Sequence, residues 1–406
     1  MRIISVIGAG YGDEGKGLSV DALARKHLET GEVTVVRVNG GAQAGHTVQT
    51  EDGRRHVFHQ FGAGSLAGAR THWSKDFVAA PMFWASEAGD LRGLGARTDA
   101  VTADPNVLVT TPWDVLINQA VEEARGVNRH GSCGMGFGET IERSERNWGL
   151  RLSDIGRRDF SESLTALRMR WVPQRLEEHG VDPAPWANIA LSDKLLADFL
   201  ADCERMMSEI VLVPDHDLAC PVFGQILTEG AQGLGLDMDV GAFPHVTRSH
   251  TGLRNVMRFA KSVEASSIEA VYATRAYATR HGAGPFPGEA DVTGWADVVD
   301  PTNAPNAWQG TLRTGSLDLD VMLDRMDADA QKADADRIRV TRKLNVTCLD
   351  QIRNEARLII SGDEVRTADP VRSIASALRA TPVMASSAPH AGGVRHIEVR
   401  VLAPAL

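Results

Sequence analysis

Cysteine is scarce in this 406-residue chain, and its four cysteines are widely separated. They form no CxxC or CxH pair, so the sequence predicts neither a zinc site nor a disulfide framework. A reducing compartment is the plain expectation for such a chain, which places the protein in the cytoplasm.

Long apolar runs are also missing. No segment approaches the ~20 apolar residues that cross a bilayer. The short run IISVI after Met1 leads directly into GAGYGDEGKG, so we interpret it as a buried strand and not as a signal peptide. The sequence therefore predicts a soluble protein without a membrane segment.

Basic residues are fewer than acidic ones, which gives the chain a formal net charge of −10. This balance argues against a protein that wraps nucleic acid, although it allows a local basic pocket for nucleotide phosphates. The chain also lacks internal repeats and low-complexity linkers. We predict one domain over residues 1–406, with helical insertions at about 70–220.

The opening of the chain has the pattern of a parallel α/β sheet. Residues 2–8 form an apolar strand pattern, Leu18–Glu29 has helical spacing, and Val33–Val38 is a second strand. Further predicted helices lie at 113–125 and 195–211, and further strands at 225–227, 268–272 and 337–340. Residues 327–337 are interpreted as a solvated helix face. The predicted fold class is α/β, with a large central, mostly parallel β-sheet flanked by helices.

The segment Gly10–Gly17, GYGDEGKG, nearly fits the phosphate-loop pattern GxxxxGK[ST]. Its glycines let backbone N–H groups converge on phosphate oxygens, and Lys16 adds a positive charge. Gly17 replaces the Ser or Thr whose hydroxyl usually binds Mg²⁺, and Asp13 is a hard oxygen donor that could substitute for it. The alternative is a generic glycine turn with solvated charges.

Four other loops of unusual composition follow predicted strands. The first, NGGAQAGHT, contains His46, which could act as a general acid or remain a structural turn residue. The others are EGAQG at 229–233, FPHVTRSHT at 243–251 and TRHGAGPFPGE at 279–289. Loops at the carboxyl ends of parallel strands build the site in open α/β sheets.

In chain order, the motifs GDEGKG, GGxxAGHT, EGAQG, FPxVT and TRxGAGPFPxE resemble the signature series of the adenylosuccinate synthetase family. The resemblance runs from residue 1 to about residue 390. It implies a large central β-sheet flanked by helices, a P-loop-like phosphate site and usually a homodimer. The chain is identified on this basis as a divergent member, related to phage synthetases of the aminoadenine pathway.

The resemblance implies a ligase in which GTP or another nucleoside triphosphate phosphorylates O6 of an IMP-like purine nucleotide, before aspartate joins the ring. By this resemblance, Asp13 is the base and a Mg²⁺ ligand, and Gly45 offers a carbonyl to the metal. Lys16 steadies the phosphates, His46 is the acid, and Gln232 holds the purine or orients Asp13. The residues implied to contact nucleotides are Gly12, Gly15, Gly17, Gln43, Ser132, Cys133, Thr247, His281, Arg313, Lys343, Asn345 and Ser387, with Ser132, Cys133 and Thr247 on the acceptor's 5′-phosphate.

The chain departs from the family in the loop that binds the amine donor. The family usually has TTGRxRRxGWLD there, with arginines that clamp the carboxylates of aspartate. Here residues 306–318 read NAWQGTLRTGSLD, which retains Arg313 and Asp318 and loses most arginines. The identity of the amine donor therefore stays open.

A second departure concerns the base of the triphosphate donor. The family's TKLD becomes Arg342-Lys-Leu-Asn345, and an asparagine cannot accept from both guanine N–H groups as a carboxylate does. Ser386–Pro389, SSAP, resembles the family's STGP along the donor's base, and His281 stands where valine often contacts the ribose. In the best-known phage relatives a small residue replaces the first-loop aspartate, so retention of Asp13 favours a hypoxanthine-type acceptor over guanine.

Two alternatives remain beside the aspartate ligase. One is an enzyme of the same fold that joins another amine or acts on another nucleotide. The other is a nucleotide-binding homologue without catalysis, against which the joint presence of acid and base residues argues.

Overall fold

A computed structural model describes residues 1–126, 129, 131–300, 311–333 and 338–397. Its centre is a ten-stranded sheet. All neighbouring strands of this sheet are parallel except the first pair in the order below, at one edge, which is antiparallel. From one edge to the other the strands are β19 (Val394–His396), β18 (Thr381–Ser386), β15 (Arg339–Thr347), β11 (Ser267–Arg275), β1 (Arg2–Gly8), β10 (Gln225–Glu229), β2 (Val33–Arg37), β5 (Arg70–Trp73), β7 (Val101–Ala103) and β9 (Val211–Leu212).

Shorter strands form small sheets beside the central one. Most sit in the loops that follow its strands. They are the hairpin β3 (His46–Gln49) with β4 (Arg55–Phe58), the pair β6 (Val78–Ala79) with β8 (Leu108–Val109), the pair β12 (Ala278–Arg280) with β13 (Arg313–Gly315), and the three strands β14 (Leu317–Asp318), β16 (Ala356–Ile360) and β17 (Asp363–Thr367).

Helices cover the sheet, and seven of them fall within the predicted 70–220 insertion. The α-helices of the described residues are α1 (Lys16–Leu28), α2 (Pro81–Gly93), α3 (Pro112–Arg125), α4 (Phe137–Arg143), α5 (Phe160–Ala166), α6 (Val172–Glu178), α7 (Ala187–Ala190), α8 (Asp193–Glu209), α9 (Leu253–Ser262), α10 (Leu319–Lys332) and α11 (Pro370–Ala377).

The sheet is buried on both faces because its strands are apolar on both sides. In β1, Ile4 and Val6 pack into one hydrophobic cluster with α1 to α3. Ile3 and Ile7 point the other way, into a cluster with α9 and α10. Because successive side chains of a strand point to opposite faces of the sheet, β1 contributes to both hydrophobic clusters.

The structure confirms the predicted α/β class, and most predicted elements differ from it only at their ends. The strand expected at 337–340 begins at Arg339 and continues to Thr347, whereas residues 334–337 lie outside the described part. The interpretation of 327–337 as a solvated face is wrong at Asp329, which is buried and accepts hydrogen bonds from the backbone N–H of Leu253.

Among the described residues, the structure has no helix long and apolar enough to span a bilayer.

Candidate active site

A cleft with a volume of about 630 Å³ opens at the carboxyl edge of the parallel strands. Loops that follow β1, β2 and β10, together with the segment after β12, form its walls. The predicted residues that line it are Gly12, Asp13, Gly15, Lys16, Gly17, Gln43, Gly45, His46, Ser132, Cys133, Gln232, Thr247 and His281. The structure thus brings thirteen of the predicted positions together.

The phosphate-loop segment curls between β1 and α1. Gly12 and Gly15 have positive φ angles of 101° and 77°, and Asp13 between them has φ 62°. Gly17 in the first turn of α1 packs against β3, where an added Cβ would lie 2.8 Å from the carbonyl oxygen of Thr47. A serine or threonine in place of Gly17 does not fit this packing.

Lys16 is paired within its own loop. Its Nζ donates to Glu14 at 2.6 Å, and both side chains are buried. The same carboxylate accepts from the backbone N–H groups of Gly10 and Gly12 at 3.0 and 2.8 Å. Glu14 therefore shapes the loop from inside and neutralises Lys16.

Asp13 is held through its backbone, while its carboxylate faces the cleft. Its carbonyl accepts from Nε of Arg275, the last residue of β11. The Asp13 carboxylate lies 3.6 Å from Nε2 of His281, and within the described chain neither ring nitrogen of His281 has a hydrogen-bond partner.

His46 and Glu229 form a buried pair at the start of β3 and the end of β10. Nδ1 of His46 lies 2.6 Å from Glu229 Oε1, and Nε2 has no partner among the residues described. Burial lowers the pKa of His46 to about 4, although Glu229 opposes this shift. Burial alone raises the pKa of Glu229, but His46 and Arg37 outweigh it and lower the pKa. We therefore assign a neutral imidazole with its proton on Nδ1, beside a carboxylate.

The loop that carries Gly45 is oriented by another histidine. Nδ1 of His59 lies 2.9 Å from the carbonyl of Ala42 and 3.0 Å from that of Ala44, so it carries the proton and donates to both. Both amide atoms of the Gln43 side chain are buried and lack a partner within the described ranges. Unpaired buried amide groups are costly unless a ligand satisfies them.

On the opposite wall, Ser132 accepts a hydrogen bond from Nδ2 of Asn118 at 2.9 Å. Burial raises the pKa of the neighbouring Cys133 thiol, which keeps it protonated. Gln232 has φ 57°, and its side-chain Oε1 is buried without a described partner.

Four predicted nucleotide contacts lie outside the residues that line the cleft. Arg313 pairs with Glu289. Asn345 is fully buried, and its Nδ2 donates to Ser19 in α1 at 2.7 Å. Lys343 lies on β15, and Ser387 lies just after β18. Of the altered amine-donor loop, residues 306–310 lie outside the described part of the chain.

Sequence reasoning missed three residues of the site: Glu229, Arg275 and His59. Glu229 was quoted within EGAQG, but its role depends on strand order, since β10 and β2 are neighbours only in the folded sheet. For Arg275 the one available signal is a charged residue at the end of a buried apolar strand.

Among the described residues, no group of three His, Cys, Asp or Glu side chains could hold a metal ion. A cation in the cleft would therefore have few protein ligands. Asp13 and Gly45 both line the cleft, and a carboxylate and a backbone carbonyl are oxygen donors. This donor set fits Mg²⁺, which commonly takes one or two protein oxygens and completes its shell with phosphates and water.

The fold and the cleft define the class: an α/β protein whose phosphate-loop-like turn opens a helix at the carboxyl edge of a parallel sheet. A family model described as adenylosuccinate synthetase matches residues 5–356. The chain belongs to the adenylosuccinate synthetase family.

Relatives and solved structures agree with this assignment. Adenylosuccinate synthetase of Myxococcus xanthus is 32% identical over 302 residues, which cover 71% of this chain and 66% of the relative. That of Synechococcus sp. is 30% identical over 310 residues, 71% of this chain and 62% of the relative. The chain thus spans less than two thirds of the length of these relatives.

Two solved structures share the fold. Fully ligated adenylosuccinate synthetase of Plasmodium falciparum has a TM-score of 0.72 at 18% identity, and the match covers 97% of this chain and 99% of that one. The succinoaminodeoxyadenylate synthetase of cyanophage S-2L, bound to dGMP and to dATP as an energy donor, has a TM-score of 0.63 at 16% identity, with coverage of 97% and 95%.

Proposed function

We propose that this chain is a nucleoside-triphosphate-dependent C–N ligase of the adenylosuccinate synthetase type. The observation that carries the proposal is the buried His46 Nε2, which faces the cleft shared with Asp13 and lacks a partner in the described chain. A histidine ordered on one nitrogen and free on the other suits a group that meets a transferred phosphoryl group.

The proposed reaction has two steps. Asp13 takes the N1 proton of a 6-oxopurine nucleotide, and O6 attacks the γ-phosphorus as the bond to the β-phosphate oxygen breaks. The phosphate anions of the bound donor favour a proton on Nε2 of His46, and the imidazolium so formed donates a hydrogen bond that stabilises the charge on the transferred group. The amine nitrogen then bonds to C6 and gives up a proton to solvent, the C6–O6 bond breaks, and O6 leaves as part of inorganic phosphate. Gln232 orients the purine or Asp13, while Ser132, Cys133 and Thr247 bind the acceptor's 5′-phosphate.

Mg²⁺, held by Asp13 and Gly45, would neutralise charge on the donor phosphates. We propose aspartate as the amine donor, a homodimer as the assembly and the cytoplasm as the location, on the basis of family membership.

For the triphosphate donor we propose an adenine nucleotide over GTP. Nδ2 of Asn345 is already bound to Ser19, which leaves Oδ1 as a single acceptor without a described partner. Asn345 is fully buried and does not line the cleft, so its place at the donor's base rests on the family's motif and not on a contact in the structure. At that place one acceptor suits the 6-amino group of adenine, whereas guanine presents two N–H groups. The cyanophage neighbour, bound to dATP, is consistent with this choice.

The decisive experiment is a phosphate-release assay. IMP, dIMP, GMP and dGMP are each combined with GTP or ATP, with and without aspartate. We expect release with IMP or dIMP that depends on both aspartate and ATP, and none from Asp13→Ala. Release from Asp13→Ala within tenfold of the parent chain would exclude the assigned base. Release only with dGMP would favour the reaction of the cyanophage relative.

A further inference from the structure

The backbone of Asp13 adopts a left-handed conformation, with φ 62°, although this residue carries a side chain. Residues other than glycine keep such a conformation only where their surroundings fix it. Gly12 and Gly15 also have positive φ, so the loop curls tightly around Asp13. Glu14 supports this curl from inside the loop, and contacts from outside the loop add to it.

Two paired strand ends hold it from behind. Arg275 ends β11 and Thr347 ends β15, and the two residues are partners in the parallel register. Arg275 Nε donates to the carbonyl of Asp13, and Thr347 Oγ1 donates to the next carbonyl, that of Glu14, at 2.9 Å. The edge of the sheet therefore fixes two consecutive peptide planes.

The Arg275 side chain is itself fixed. It is only 8% exposed, its Nη2 pairs with Asp300 at 2.6 Å, and its Nη1 donates to the Tyr277 hydroxyl at 2.8 Å. Tyr277 in turn donates to Oε1 of Gln351. The planar guanidinium fork serves three acceptors at once, which the single ammonium of a lysine at the same place does not reproduce.

We propose that Arg275 is a positioning residue, which keeps Asp13 in the conformation that directs its carboxylate into the cleft. The inference rests on the proposed function, in which Asp13 takes the N1 proton. Because Arg275 holds the carbonyl of Asp13 and not the carboxylate, its effect falls on the chemical step through Asp13.

The test compares Arg275→Lys with a control, Arg70→Lys. Arg70 begins β5, at the opposite end of the strands from the cleft, and pairs with Glu32. We expect Arg275→Lys to lower kcat at least tenfold with KM for both nucleotides within twofold, and the control to keep both parameters. In an Asp13→Asn background, Arg275→Lys should cost less than a further twofold. A rise in KM with kcat retained would overturn the proposal, because Arg275 would then act on the substrate.

A second measurement needs no activity. Amide hydrogen exchange of residues 9–17 in the ligand-free chain should rise at least threefold in Arg275→Lys and stay unchanged in Arg70→Lys. Unchanged exchange in both variants contradicts the proposal, even where turnover falls. If the parent chain shows no turnover at all, the ligase function fails, while the exchange result still decides the role of Arg275. If Arg275→Lys does not fold, Tyr277→Phe, which removes one contact of Arg275, should raise exchange by a smaller factor.

Discussion

The imidazole of His46 is oriented by one ring nitrogen and available at the other. Glu229, which holds Nδ1, is itself held by the backbone N–H of Ala63 at 3.0 Å and lies 3.9 Å from Arg37. This arrangement fixes the ring plane and the tautomer before any ligand binds. Preorganisation of this kind reduces the reorganisation needed during phosphoryl transfer.

We therefore predict that His46→Asn lowers kcat by roughly 10²-fold or more, the usual contribution of a general acid, with a smaller effect on nucleotide affinity. Glu229→Ala should give a comparable loss, because His46 then loses its orientation. The double variant should be no worse than His46→Asn alone. Steady-state kinetics of the three variants provide the measurement, and independent, multiplying losses would show that Glu229 acts elsewhere.

Asn345 supports a prediction about the choice of donor. We expect the parent chain to use ATP at least as well as GTP, and Asn345→Asp to shift kcat/KM toward GTP by roughly 5- to 150-fold. The range corresponds to about 1–3 kcal/mol for one buried hydrogen-bonding group that gains a partner. If the parent already prefers GTP by more than 10³-fold and the substitution changes nothing, Asn345 does not read the base.

Among the helices, α9 shows how one element completes another. Gly252, which precedes it, has no side chain for a cap, and the carboxylate of Asp329 in α10 accepts from the N–H of Leu253 at 2.8 and 3.1 Å. A Cβ on Gly252 would lie 2.3 Å from that carboxylate. The glycine therefore permits a cap that comes from 76 residues further along the chain.

This contact supports a prediction about stability and pH. Burial, and to a smaller extent the carboxylate of Asp237, raises the pKa of Asp329 to about 7. The hydrogen bond from the N–H of Leu253 and the positive charge of Arg342 oppose this shift. The buried side chain of Tyr272 also lies nearby. The pKa of Asp329 in the folded protein exceeds its unfolded value of 3.8. Protonated Asp329 therefore makes its full contribution to the free energy of unfolding below about pH 4, and this contribution is lost as pH rises through 7. Asp329→Asn should remove this loss.

The measurement is the melting temperature of the parent chain and Asp329→Asn between pH 4 and pH 8. As pH rises from 4 to 8, the free energy of unfolding of the parent chain should fall relative to that of Asp329→Asn, by an amount on the order of a few kcal/mol. The melting temperature of the parent should fall relative to that of the variant in the same way. As a control, Asp324→Asn changes an exposed carboxylate on the same helix. A constant difference between Asp329→Asn and the parent would contradict the assignment.

The same contact shows where sequence reasoning stops. Local patterns suffice for β1, α1 and the loop that joins them, since apolar alternation, glycines and helical spacing all occur within a few residues. The roles of Asp329, Arg275 and Glu229 depend on residues distant in the chain and on the order of strands in the sheet. No spacing rule encodes that order, so these contacts were accessible only from the fold.

At the scale of the molecule, the two hydrophobic clusters share one sheet. Strand β1 sends Ile4 and Val6 to one cluster and Ile3 and Ile7 to the other. Neither cluster can lose its packing without exposing one face of the same central strands. This sharing is consistent with the prediction, made from the absence of repeats and linkers, that residues 1–406 form one domain.

We predict that both clusters unfold together. Phe61→Ala and Phe259→Ala remove fully buried rings from the first and the second cluster, and each should cost roughly 3–5 kcal/mol. In urea, tryptophan fluorescence reports mainly on the first cluster, where Trp73, Trp84 and Trp113 are buried, and circular dichroism reports on the whole chain. For each variant the two curves should shift together. Separate midpoints in Phe259→Ala would instead indicate two units.

The close packing of Gly17 on β3 has an evolutionary consequence. A Cβ at this position would lie 2.8 Å from the Thr47 carbonyl and 3.2 Å from Cβ of His46. A drift from Gly17 to serine, which would restore the usual phosphate-loop sequence, therefore displaces the strand that bears His46. A return to the usual phosphate-loop sequence therefore requires changes in two segments, the loop and the strand β3 that packs on it. Once the strand that carries His46 packs against the first turn of α1, position 17 has room only for glycine.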